Sequence, residues 1–141
     1  IMLISYLISG ALGLLFFLII SFLAKSLLEG INYIEHYGLV RVKGKPVRMR
    51  HSWNSNHALS SLYLCNVNRH SDHHRASYLN FWELIPYHKN APMLPYGYLG
   101  LLYLVLIVPF LFHKIMDSKI IDWDNDFASN DEREIIYGQK R

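Results

Sequence analysis

This sequence is short of sulfur, acid and charge, each in a different place. Cys65 is the only cysteine in 141 residues, so neither an internal disulfide nor a thiolate metal cluster can be built. Carboxylates are scarce in the body of the chain. Of the 11 acidic residues, seven fall from Asp117 onward, leaving Glu29, Glu35, Asp72 and Glu83 before it. Acid–base or metal chemistry there must rest on histidine. Charge of either sign is missing from Ile1 to Ala24, a run of 24 residues. As a helix at about 1.5 Å per residue this run is about 36 Å long, enough to cross a hydrocarbon core of about 30 Å. An ordinary soluble domain is thereby excluded. The run also exceeds a signal-peptide core of roughly 7–15 residues and has no basic residues ahead of it, which argues against a cleaved leader.

The pattern along the chain predicts an all-α, integral-membrane fold in four parts. Residues 1–24 read as a transmembrane helix, apolar on all faces, with Ser5, Ser9, Gly10 and Gly13 small enough for another helix to approach closely. Residues 25–97 read as a helical region carrying the histidines. The first helix continues into it, with Glu29, Asn32, Glu35 and His36 marking a polar surround and Gly38 as its stop. Arg41, Lys43, Lys45, Arg48 and Arg50 follow with no acid among them, which by the positive-inside rule puts this end of the helix in the cytoplasm. The same run would also serve as a docking patch for an acidic protein. Ser55 to about Ala76 reads as one helix, with Ser52, Asn54 and Ser55 as possible caps. Residues 98–116 hold a second apolar helix, Tyr98–Phe112 with Pro109 inside it, of a length that suits a buried or re-entrant segment. Residues 117–141 read as an acidic, solvated tail.

The eight histidines matter through their spacing. His70, His73 and His74 stand at i, i+3 and i+4, so on a helix their imidazoles share one face. That is metal-ligand spacing, although on a soluble surface helix it would also fit a solvated patch. His36 at the polar end of the first helix, with few carboxylates nearby, strengthens the metal reading. No Glu-x-x-His or His-Glu-x-x-His occurs, so neither a soluble di-iron bundle nor a zinc protease is indicated. An all-imidazole site suits iron, zinc, copper or nickel. On a continuous helix His57 lies about 220° around the axis from His70, a structural or supporting position, while Asn56 and Tyr63 share the face of His70 and could hydrogen-bond a ligand. His51 reads as solvated, His113 as interfacial, and His88 sits in a Pro-rich loop.

Asn32-Tyr33-Ile34-Glu35-His36-Tyr37-Gly38, followed by Leu39, and Asn68-Arg69-His70-Ser71-Asp72-His73-His74 together resemble the two C-terminal histidine motifs of the membrane alkane 1-monooxygenases, in the same order. Leu94-Pro95-Tyr96-Gly97-Tyr98 and the apolar run ending in Met116-Asp117 are similar to that family too. Val67-Asn68 stands where the family has Leu-Gln. The resemblance implies an integral-membrane monooxygenase with two non-haem irons, inserting an atom of O2 into the terminal C–H bond of an n-alkane. Its electrons would come from rubredoxin and its reductase. It implies His36, His70, His73 and His74 as iron ligands, in the bacterial inner membrane with the motifs on the cytoplasmic side; Glu35 and Asp72 are candidates to orient these ligands, or else polar neighbours at the membrane surface. Lipids are expected partners and nucleic acid is not. The family's two earlier histidine motifs do not occur here, so the chain is expected to supply the C-terminal part of the site and to be inactive alone. Xylene-type monooxygenases and fatty-acid hydroxylases or desaturases are neighbouring readings. A membrane module that holds haem or a metal without turnover is the alternative of another class.

Overall fold

The computed structural model describes residues 1–87 and 89–138. It is helical throughout, with a single isolated bridge between Asn54 and Met93 and no strand among the described residues. The charge-free run and the segment after it form one helix, α1 (Met2–His36), of 35 residues, about 52 Å long at about 1.5 Å per residue. It is long and apolar enough to cross a membrane. Ser9 and Gly10 leave helical geometry, Gly10 with φ of 60°, which places an elbow inside the apolar stretch.

The far end of α1 stops as its sequence requires. Gly38 takes φ of +71°, and the Leu39 N–H donates to the His36 carbonyl at 3.2 Å. A Cβ at Gly38 would lie 2.1 Å from Ile120 Cδ1, so glycine is required both by conformation and by contact. Gly38→Ala should lower the unfolding free energy by at least about 1–2 kcal/mol, the ordinary cost of a left-handed non-glycine residue. Denaturant unfolding of the detergent-solubilised chain measures it, and an unchanged midpoint would contradict this packing.

The single helix expected over Ser55–Ala76 does not form. Two one-turn helices, α2 (Ala58–Tyr63) and α3 (His70–Arg75), replace it. Between them Cys65 and Asn66 take φ of 47° and 61°. Side chains that compete for the backbone explain the break. Asn68 Nδ2 donates to the Ser55 carbonyl at 2.6 Å and to Ser61 Oγ at 3.0 Å, while Asn66 Nδ2 donates to the Phe81 carbonyl at 3.1 Å. The expected cap residues are used otherwise: Ser52 accepts Ser71 Oγ–H on its carbonyl at 3.0 Å, and Asn54 is paired through its backbone with Pro92 and Leu94.

The second apolar run is likewise two helices, α4 (Tyr98–Ile107) and α5 (Pro109–Asp126), with Pro109 opening the second one, where its missing N–H costs nothing. The acidic tail is not a solvated end. Within it Trp123 is fully buried, in line with Phe112 and Met116 just ahead of it on α5, and α6 (Asn130–Gly138) buries Glu132. Composition hid an apolar stripe whose members join Ile34, Trp53, Leu94, Tyr98 and Leu101 in one core. Indole N–H groups fix the parts to each other: Trp53 Nε1 donates to the Tyr37 carbonyl at 2.8 Å and Trp123 Nε1 to the Arg50 carbonyl at 2.7 Å.

Candidate metal centre

The last turn of α1 and the single turn α3 meet at right angles of ring to ring. The His36 ring lies 5.3 Å from that of His74 and 5.2 Å from that of His70, with planes near perpendicular. The ligand atoms of His36, His70 and His74 all lie within 4.8 Å of one another. Nε2 of His36 and Nε2 of His74 face each other at 3.1 Å. Two nitrogens bound about 2.0–2.1 Å from one tetrahedral ion stand roughly 3.3 Å apart, so the spacing suits a shared cation.

Each imidazole is held in a form that can ligate. His36 Nδ1 is 3.0 Å from the Asn32 carbonyl; a carbonyl only accepts, so Nδ1 carries a proton and Nε2 is the nitrogen left to ligate. Burial pushes the His70 ring down to about 3, and burial with the neighbouring His36 and His73 pushes His74 down to about 4. Both are therefore neutral at physiological pH, as metal ligands must be. His70 Nε2 stands 3.4 Å from Glu35 Oε2. Glu35 Oε1 and His70 Nδ1 are buried with no hydrogen-bond partner, and such orphaned polar atoms call for a partner the protein does not itself provide. The residues present fit a metal ion.

The other predicted residues are distributed less simply. His73 stacks beside His70 at 5.6 Å between ring centres but is not one of the three converging residues. Asp72 is fully buried, yet its oxygens are taken by Arg75 Nε at 2.6 Å and the Ile85 N–H at 2.8 Å, so it positions α3 and the 85 loop rather than an imidazole. With the 55–76 helix broken, the angular relation of Asn56, His57 and Tyr63 to His70 no longer holds. Asn56 Nδ2 donates to the Tyr87 carbonyl at 2.8 Å, His57 caps α2 against Gly97, and Tyr63 is exposed. His88 lies outside the described residues.

His51, expected to be solvated, is buried. Its Nδ1 accepts the Arg48 N–H at 3.0 Å and its Nε2 lies 2.7 Å from Glu132 Oε1. A backbone N–H can only donate, so the ring is the neutral Nε2–H tautomer. Glu132 also receives Arg50 through Nε at 2.9 Å and the Ser129 N–H at 2.8 Å. His51 and Arg41 share with His36 and His74 a cavity of about 270 Å³. This cluster was missed in the sequence, although Ser129-x-x-Glu132 is a capping-box signature that marks the start of α6.

A family profile described as fatty acid desaturase matches residues 1–112. The chain belongs to the fatty acid desaturase family. This desaturase-family chain is 44% identical over 116 residues to alkane 1-monooxygenase 1 of Pseudomonas aeruginosa, covering 79% of the chain and 30% of the relative. It is 39% identical over 133 residues to the xylene/toluene monooxygenase hydroxylase component XylM of Pseudomonas putida, covering 94% of the chain and 35% of the relative. To alkane 1-monooxygenase of Ectopseudomonas oleovorans it is 43% identical over 101 residues, covering 68% and 25%. The chain thus spans about a third or less of the length of these relatives. The motif resemblance to alkane 1-monooxygenases is borne out for this part of the chain.

Proposed function

We propose that the complete protein is an integral-membrane, non-haem di-iron monooxygenase that hydroxylates the terminal carbon of n-alkanes with O2, using electrons from rubredoxin and its reductase. The observation that carries this reading is the meeting of His36 with His70 and His74 at one point, from two motifs 34 residues apart, at the end of an apolar helix. Bound iron would supply the redox chemistry that activates O2. His36, His70 and His74 would hold one ion, and His73 would serve a neighbouring one. Glu35 beside His70 Nε2 orients that ring. Four histidines are fewer ligands than two such ions require, so the chain alone should not turn over.

The basic run Arg41–Arg50 supports a cytoplasmic placement of this end in the bacterial inner membrane, and it offers an acidic electron donor a surface of opposite charge. The XylM match, which covers more of the chain than the alkane relatives do, favours a second reading, hydroxylation of an aryl methyl group. Product analysis of the full-length enzyme separates the two. Incubation with n-octane and p-xylene in competition should give 1-octanol as the main product. Benzylic alcohol alone, with octane returned unchanged, would transfer the protein to the XylM reading. No product from either would overturn both.

A further inference from the structure

The two helices after Gly97 run down and back up beside α1. Leu102 packs on Gly30, the Tyr33 hydroxyl meets His113 Nε2 at 3.0 Å, and the Tyr37 hydroxyl donates to Asp117 Oδ1 at 3.0 Å. Rising numbers on α5 thus follow rising numbers on α1, and α4 runs the opposite way. Continuing α4 from Leu102 at about 1.5 Å per residue brings Ile107 to the height of Lys25, where the charge-free run of α1 ends. Here the hairpin turns. Its tip carries Tyr103, Leu106, Ile107, Phe110 and Leu111, all exposed, Phe110 to 73%. No charged residue occurs from Tyr98 to Phe112. Around that height α1 exposes Phe22, Leu23, Leu27 and Leu28 as well.

Part of the backbone at the turn is satisfied within the chain. Val108 N–H donates to the Leu104 carbonyl at 2.8 Å and Leu111 N–H to the Val108 carbonyl at 3.0 Å, while Pro109 has no N–H to satisfy. Irregular backbone in a bilayer is tolerated only when its polar groups are met internally. Lone exposed apolar residues need no explanation, but five of them gathered at one turn, level with the end of a membrane-crossing run, do.

We propose that the α4–α5 hairpin is a second membrane contact: its tip dips into the same leaflet that α1 leaves, without crossing it. The occupant is lipid acyl chain, with Tyr103 at the headgroup level as an anchor. The metal-bearing end of α1 is then fixed to the bilayer at two points rather than one.

Cys65 is the only cysteine in this sequence, so labels can be sited once it, and any cysteine elsewhere in the full chain, is replaced. In a Cys65→Ser background, single substitutions Leu106→Cys and Phe110→Cys are spin-labelled in the full chain, in vesicles of phosphatidylcholine and phosphatidylglycerol. Phe22→Cys serves as the lipid reference and Tyr78→Cys, at a side chain 85% exposed, as the aqueous one. Helical content of each variant is checked by circular dichroism, and two tip positions guard against one local failure. The expected result is that both tip labels collide with dissolved oxygen several-fold more than with a water-soluble nickel chelate, as at Phe22. Nickel access like that at Tyr78 would overturn the proposal. So would immobile labels shielded from both reagents, which would show protein covering the tip.

Discussion

Replacing His74 by alanine in the full-length protein should lower bound iron more than about tenfold and abolish alkane hydroxylation. Loss of a group that only orients a ligand typically costs about 10–100-fold in affinity or activity, and His74 is more than that. Its Nε2 faces that of His36 at 3.1 Å, and both lie with His70 in one group. Without it, His36 and His70 alone would have to hold the ion, and the cavity beside them offers Arg41, a cation with no lone pair to give. His36→Ala and His70→Ala should behave alike. His73→Ala is the informative contrast: retention of about half the iron would place it on a second ion. Iron content and activity of His74→Ala equal to those of the wild type would sink the proposed centre.

Glu132→Ala should destabilise the chain by about 3–5 kcal/mol, the usual consequence of removing one partner from a buried charged pair. The carboxylate is 1% exposed and receives Arg50, His51 and the Ser129 N–H. Glu132→Gln should cost less, since it keeps hydrogen-bonding atoms. The pH dependence follows with a definite sign. Burial raises the carboxyl, but Arg50, Ser129 and His51 outweigh it and hold the group at about 2 against an ordinary 4.5. Its contribution is complete above the ordinary value and is lost as pH falls toward 2. The His51 ring is lowered from 6.5, chiefly by burial, and a protonated Nδ1 can no longer accept the Arg48 N–H. Below pH 6.5 the unfolded chain takes up a proton the folded one resists, so acid acts against the fold through both groups. Trp123, anchored on the Arg50 carbonyl, reports the transition by fluorescence. An unfolding midpoint that does not move in Glu132→Ala would remove this cluster from the account.

What the sequence made legible was local. A charge-free run needs no partner to reveal itself, and Gly38 marks a stop by the one conformation it alone takes without strain. The 70–73–74 spacing survived although the helix expected around it did not, because α3 still holds the single turn that spacing requires. The break at Cys65 and Asn66 was hidden because it depends on Asn68 reaching back to Ser55, 13 residues away. The tail was misread for another reason: its carboxylates dominate the composition, while Trp123, with Ile120, Phe127 and Ile136 beside it, carries the packing. His51 and Glu132 are 81 residues apart, and no pattern within either segment announces the other.

The elbow at Ser9 and Gly10 sets a joint in α1, with an outer rod before it and, from it to His36, an inner rod that carries the histidine. Bilayers differ in thickness, and a rigid helix meets such hydrophobic mismatch by tilting as a whole. A jointed helix can take up the difference in its outer rod. The inner rod, clasped by the core through Ile34 and by Leu102 against Gly30, then keeps its angle, and with it the direction in which His36 presents Nε2. Such a joint would make the ring geometry at His36 less sensitive to the thickness of the bilayer around the first turns of α1.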